Sequence, residues 1–408
     1  MARRLLTAVA AVMALGSVSF SASAQTPFYQ GKQVKVLVGF SPGGGTDLFG
    51  RLMADGLTRH LSGKPAIVVQ NMPGAGSVVA SNYFSQRAPR DGSTLLIGTG
   101  QLLLRIVLGL DGAKSRADDL EPLIASPMGR IAIARKSAGV SDVKALLNPP
   151  EPLIVGVPEV IATLDTVLGL KVLDVKFRAV MGYPGKNDTR MALERGEVNL
   201  DGQTTPVYHS SVSPMVRDGV AHALFAQGLM DGEKLVADPA APDIPTVFDV
   251  YRTMYGKDPS GPVWDAYKAS VRAFGNGGKI LMAHPDIPAP AMQALREAVT
   301  RMSQDAEFLK ASETQLEGYS FTTGQKLRDG VTAVGKTDPA TVKWLQDMLT
   351  NDFNMKFNCC RVRLRSSFKA AAATGGMSTS LPFSARVTRS CPMPRACWPK
   401  IFCAPAPI

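Results

Sequence analysis

The chain is 408 residues long, 45% apolar and 19% charged. That is enough apolar sequence to close two or three cores, and it excludes a disordered or fibrous protein. A net charge of +11 raises the question of nucleic acid or an anionic membrane, but the excess sits at the ends. From Asn358 to Ile408 there are eight basic residues and no acidic one, and setting these aside together with Arg3 and Arg4 leaves +1 for the rest. All five cysteines (Cys359, Cys360, Cys391, Cys397, Cys403) fall in the same stretch. A body without cysteine suits an exported protein, and the tail's spacings match no zinc site.

Met1 to Ala24 has Arg3 and Arg4, an apolar run from Leu5 to about Phe20, and then Ala22-Ser23-Ala24. This is the order of a secretory signal, with cleavage expected before Gln25; the run is too short for a membrane anchor. The other end, residues 358–408, mixes Arg-Val-Arg-Leu-Arg, four alanines and scattered prolines without helical or strand period. It reads as disordered or non-native coding sequence. A basic arm for nucleic acid would show aromatic interleaving that is missing here.

Between the ends the pattern alternates strand and helix. Val34 to Phe40 reads as a buried strand, followed by a glycine loop and a helix from Thr46 to about Leu61. Ala66 to Val69 is the next strand, then a second glycine loop and a helix from Ser77 to Gln86, then a strand at Thr94 to Gly98. Further strands are expected at Arg130 to Ala134, Leu153 to Val157, Leu173 to Val180, Val198 to Asp201 and Ala221 to Gln227. From Ile287 the pattern turns helical, with helices after Pro288, around 304–311, over 324–334 and over 339–349. Such alternation predicts parallel pairing, and hence α/β sheets with helices on both faces.

The most informative segment is Ser41-Pro42-Gly43-Gly44-Gly45-Thr46-Asp47. Glycines between a strand and a helix let the backbone approach a ligand, and the amides of the helix start bind anions. Thr46 is a candidate cap and hydroxyl donor; Asp47 either complements the helix dipole or meets a ligand amine or water. The competing reading is a tight turn that needs positive φ. Walker A fails for lack of a closing Lys-Ser/Thr, and no G-x-G-x-x-G with a downstream acid is present, which argues against a nucleotide. Asn71-Met72-Pro73-Gly74-Ala75-Gly76-Ser77 takes the corresponding place after the second strand, so both loops face one crevice.

Catalytic constellations are poorly supported. His60, His209, His222 and His284 have no metal-site spacing, no nucleophile elbow is present, and Glu194-Arg195-Gly196-Glu197 reads as a solvated helix end. An exported enzyme would have to use Ser41 or Ser77 with His209.

The ordered series Phe28-Tyr29-x-Gly31-Lys32, Pro42 to Asp47, Arg51, Asn71 to Gly76 and Pro89-x-Asp91-Gly92-x-Thr94 resembles the extracytoplasmic solute receptors of the tripartite tricarboxylate transporter system, the Bug or TctC family. Gly182-Tyr183-Pro184-Gly185, residues 192–198, Ile244-Pro245-Thr246-Val247 and residues 305–309 continue the resemblance, which spans about Phe28 to Leu349. It implies a two-lobed α/β periplasmic binding protein of the type II-like fold, each lobe a doubly wound sheet flanked by helices. The expected division is signal 1–24, first lobe 25–128 and 241–357, second lobe 129–240, and tail 358–408.

The resemblance further implies a monomeric periplasmic receptor that closes on a small organic carboxylate and delivers it to membrane permease subunits, without cofactor, metal or nucleic acid. A receptor that presents its closed form to a signalling partner is the alternative on the same fold. Carried over by position, Phe40, Ser41, Pro42, Gly43, Gly44, Gly45, Thr46 and Asp47 form one wall of the site. Gly74, Ala75, Gly76 and Ser77 stand beside them, and Val157, Pro158 and Tyr183 face them from the second lobe. The chain departs from the family at Val157-Pro158-Glu159-Val160-Ile161, where many members have a loop rich in glycine and hydroxyl residues. Glu159 would repel a second carboxylate unless it points away or meets an amine, which favours a monocarboxylate, an amino acid or a ligand with an apolar end.

Overall fold

Two mixed sheets organise the chain in the computed structural model, which describes residues 26–140, 143–316 and 318–357. The expected signal and the tail lie outside the described residues. The first sheet is built from β1 (Gln33–Val38), β2 (Ala66–Asn71), β3 (Thr94–Gly98), β4 (Glu121–Ser126), β12 (Lys279–Ala283) and β13 (Thr322–Thr323), in the order β13-β4-β12-β3-β1-β2. β1 pairs in parallel with β2 and β3, so that Val36 faces Val69 on one side and Leu95 on the other. β12 then runs antiparallel to both β3 and β4. Every residue of β3 is buried, as its unbroken Thr-Leu-Leu-Ile-Gly run requires of a strand covered on both faces.

The second sheet contains β5 (Arg130–Arg135), β6 (Ile154–Val157), β7 (Arg178–Met181), β8 (Leu200–Thr204) and β9 (Ala221–Ala226), in the order β7-β6-β8-β5-β9. β6 is parallel to β7 and β8, whereas β5 is antiparallel to β8 and β9. The all-parallel expectation is thus corrected in both sheets. β5 enters its sheet directly from β4 without a crossover helix, and β12 enters from the other half of the molecule, so neither is held to the parallel direction. A short hairpin, β10 (Leu229–Asp231) with β11 (Lys234–Val236), follows β9.

The helices are α1 (Gly45–His60), α2 (Val78–Gln86), α3 (Gly100–Val107), α4 (Val160–Val172), α5 (Lys186–Arg195), α6 (Val247–Tyr255), α7 (Pro262–Phe274), α8 (Ala289–Met302), α9 (Ala306–Leu316), α10 (Gly324–Gly335) and α11 (Pro339–Phe353). A broken helical stretch also runs over residues 205–217. The strand expected over 173–180 shrinks to β7. Leu173 and Val175 are buried at the end of α4, and Asp174 turns the chain at φ 54°.

α7 packs on α4 of the second half and on α3, α10 and α11 of the first. One apolar core therefore runs from Leu96 of β3 through Val271 of α7 to Leu164 of α4. α4 is apolar around nearly its whole circumference because it is enclosed on all sides.

The backbone leaves the first sheet at 127–129 and enters it again through 275–278, where the Met128 amide donates to Gly275 O at 2.9 Å. Beside it, the Gly129 amide donates to the Tyr319 hydroxyl at 2.8 Å. That hydroxyl donates to Asp238 at 2.8 Å, and Thr205 Oγ1 donates to the same carboxylate at 2.6 Å. Burial, the nearby Asp238 charge and the bond to its carboxylate push the Tyr319 hydroxyl far above its ordinary pKa. Tyr319 lies beyond α9, Thr205 at the end of β8 and Gly129 in the crossover, so this buried network ties both halves to the connection.

Candidate functional site

The first glycine loop leaves β1 and enters α1. Gly43 has φ 81°, a left-handed conformation that favours glycine. Gly44 has φ −80° and ψ 163°, and Gly45 is helical. A Cβ on Gly44 would meet nothing nearer than 3.8 Å and one on Gly45 nothing nearer than 3.7 Å. The fold therefore demands glycine at Gly43 and not at Gly44 or Gly45. Ser41 to Gly45 are exposed at the helix start, where the first amides have no acceptor within the helix.

Thr46 is the second residue of α1 and makes no cap; extended Gly44 holds the cap position. Asp47 is turned inward and is 1% exposed. Its Oδ2 accepts the Gly43 amide at 2.9 Å and Arg51 Nε at 2.9 Å, and its Oδ1 accepts Asn71 Nδ2 at 2.8 Å and an Arg51 guanidinium N–H at 3.3 Å. Burial alone would raise the carboxyl pKa, but the bonds from Arg51, Gly43 and Asn71 outweigh it and hold the group at about 2. Asp47 thus shapes the loop from below, through bonds to the protein's own groups. Asn71 also donates to Phe40 O at 2.9 Å, stitching the end of β2 to the loop after β1.

The second loop folds through consecutive positive φ angles at Gly74, Ala75, Gly76 and Ser77. The Ser77 side chain is buried against Gly39, where a Cβ would fall 1.8 Å from its Oγ. The two loops consequently form one continuous wall at the carboxyl ends of β1 and β2. Gly76 is covered by Arg105 of α3, and a Cβ there would lie 2.5 Å from the guanidinium.

Across from this wall stands the carboxyl end of β6. Val157 is buried, Pro158 is half-buried, and the Tyr183 ring packs beside Gly156. Glu159 follows as the N-cap of α4 and makes an ion pair with Arg105 at 2.6 Å. The pair joins α3, which covers the second glycine loop, to the second-sheet loop, across 54 residues of chain. Sequence reasoning flagged Glu159 and missed Arg105, whose signal is a lone cation in Leu102-Leu103-Leu104-Arg105-Ile106.

Two more cations were missed. Arg130 donates to Ala162 O and lies 3.4 Å from Asp165 Oδ2; Lys186 donates to Gly202 O at 2.9 Å and lies 3.9 Å from Asp201. Burial lowers the Lys186 pKa against the raising effect of Asp201, and the nearby Arg130 charge lowers it further. The Ser–His arrangement is not formed, since Ser77 Oγ has no hydrogen-bond partner and His209 Nε2 is bonded to Ala240 O at 2.6 Å. A separate cavity of about 290 Å³, lined by Leu103, Met230, Leu327 and Val331, lies behind the crossovers. Its Arg272 is paired with Glu233 at 2.7 Å.

Two sheets with a wall of amide loops facing a second-sheet loop match the two-lobed fold of solved periplasmic binding proteins. No protein-family model matches the chain. A UPF0065 protein of Bordetella pertussis is 26% identical over 315 residues, covering 74% of this chain and 84% of that protein. Protein BugT of the same organism is 36% identical over 107 residues, covering 26% of this chain and 31% of BugT.

Among solved structures, the periplasmic binding protein BugD superposes with a TM-score of 0.54 at 18% identity, covering 79% of this chain and 98% of BugD. A Rhodopseudomonas palustris protein solved with adipate gives 0.55 at 21% identity, covering 78% and 97%. MatC of R. palustris, solved with malate, gives 0.51 at 21% identity, covering 78% and 99%. The chain is thus similar in sequence to UPF0065 and Bug proteins, and it shares the fold of the periplasmic binding protein BugD.

Proposed function

We propose that the chain is an exported solute receptor that captures a small organic carboxylate between two lobes, 25–128 with 241–357 and 129–240, and delivers it to permease subunits of a tripartite tricarboxylate-type transporter. The observation that carries this reading is the pair Gly44 and Gly45. They are glycines that the fold does not ask for, placed at the exposed start of α1 beside a second amide-rich loop. Close approach of a ligand explains them, because a side chain at either position would stand between an anion and the first-turn amides.

The wall of the site is Phe40 to Thr46 and Gly74 to Ser77, with Asp47 holding its shape and Val157, Pro158 and Tyr183 opposite. The solutes in the adipate- and malate-bound neighbours are carboxylates, which agrees in class. The neighbours' periplasmic setting and the leader-like 1–24 segment support export. Calorimetric titration of the mature protein against a panel of organic acids tests the reading. Saturable binding of one or more acids is expected; silence across carboxylates, with binding to another solute class, would sink it.

A further inference from the structure

Glu159 makes contacts that a bound anion would make. Its carboxylate accepts the amides of Ile161 at 3.0 Å and Ala162 at 2.8 Å, the first turn of a 13-residue helix, and takes the Arg105 guanidinium at 2.6 and 3.4 Å. The Arg105 side chain is 5% exposed, its Nε has no protein partner, and Glu159 is 42% exposed above it. A helix N-terminus from one lobe and a buried arginine from the other therefore converge on one carboxylate, and that carboxylate belongs to the chain. The neighbouring cations add no surplus, since Arg130 and Lys186 stand beside Asp165 and Asp201.

We propose that Glu159 fills, with its own carboxylate, a second anion subsite of the cleft, so that the receptor takes acids with one carboxylate and rejects those with another at the far end. This rests on the carboxylate-receptor reading. An incoming second carboxylate can reach Arg105 only by displacing Glu159, which leaves two like charges sharing one cation.

The test compares acids that differ only in the terminal group: butyrate with succinate, pentanoate with glutarate, hexanoate with adipate. Each is titrated calorimetrically into the wild type, Glu159→Ser, which retains a capping side chain, and Glu159→Gln, which keeps the shape and drops the charge. In the wild type the monoacid of each bound pair is expected to bind tighter. In Glu159→Ser the ratio of diacid to monoacid affinity should rise by about tenfold or more, the scale of one charge-assisted contact. Adding Arg105→Met should abolish that gain.

An unchanged ratio in both Glu159 variants with native circular dichroism overturns the inference and leaves the receptor reading standing. So does a wild type that prefers the diacids. If no acid of the series binds the wild type or either variant, the carboxylate reading falls together with it.

Discussion

Asp47→Ala tests whether the first glycine loop is held from below. The substitution removes the acceptor for the Gly43 amide, the Asn71 amide group and two Arg51 N–H groups at once. Arg51 is half-exposed and turns to water at little cost, so its share is small. The Gly43 and Asn71 bonds to a buried charge, together with the lost helix-dipole term of about 0.3–1 kcal/mol, come to about 2–3 kcal/mol. For a fold of more than 300 residues that is a fall in Tm of about 3–4 °C.

Differential scanning calorimetry at neutral pH reads it, and ligand affinity should fall in parallel because Gly43 loses its anchor. The effect is also pH-dependent. Because the folded-state pKa of about 2 lies below the ordinary 3.8, the carboxylate's contribution is fully present above about pH 4 and is lost as the pH falls through 2. The gap between wild type and Asp47→Asn should therefore close over that window. An Asp47→Ala protein that melts within about 1 °C of wild type at neutral pH would refute the anchoring argument, since a dipole term alone is that small.

Tyr319→Phe leaves the buried Gly129 amide without an acceptor and Asp238 short of one donor, a loss of about 1–3 kcal/mol. Urea denaturation should show a lower midpoint at unchanged slope, whereas an unshifted midpoint would mean the network does not brace the crossover. Truncation after Phe357 should leave Tm and ligand affinity as they are. α11 ends at Asn354 in a left-handed cap, and Phe357 pairs with Leu110, so the described fold closes on itself there; a truncated protein that aggregates or melts early counts against this.

What the sequence could reveal followed from how local each signal is. Glycine and proline punctuate the backbone over a few residues, so both loops and the helices after them were legible. β12 was not, because Lys279-Ile280-Leu281-Met282-Ala283 has no period of its own and becomes a strand only by pairing with β3 and β4, far away in the chain. Leu173 to Val175 failed for a related reason: their apolarity serves the enclosed end of α4, and periodicity does not say which neighbour a buried side chain meets. Arg105 stayed hidden because its partner, Glu159, is 54 residues away on the other half of the molecule.

The glycines separate what the fold needs from what it leaves unexplained. Gly43 is accounted for by its φ, Gly39 by Ser77 and Gly76 by Arg105, so replacing any of them disturbs the protein's own packing. Gly44 and Gly45 have ordinary backbone angles, and a Cβ at either would make only ordinary contacts, with Ser41 O at 3.8 Å and Lys279 Nζ at 3.7 Å respectively. The same contrast runs through the charges. Asp165 and Asp201 are buried beside cations of their own lobe, whereas Glu159 is exposed and reaches across to a buried arginine of the other. On the proposed reading, in a body with almost no net charge, anion recognition would rest on amides beside the Lys279 ammonium at one end of the cleft and on an internally matched arginine at the other. Ligand charge would then be read by local pairing, so added salt should weaken binding far less than it weakens a receptor that steers by its overall field.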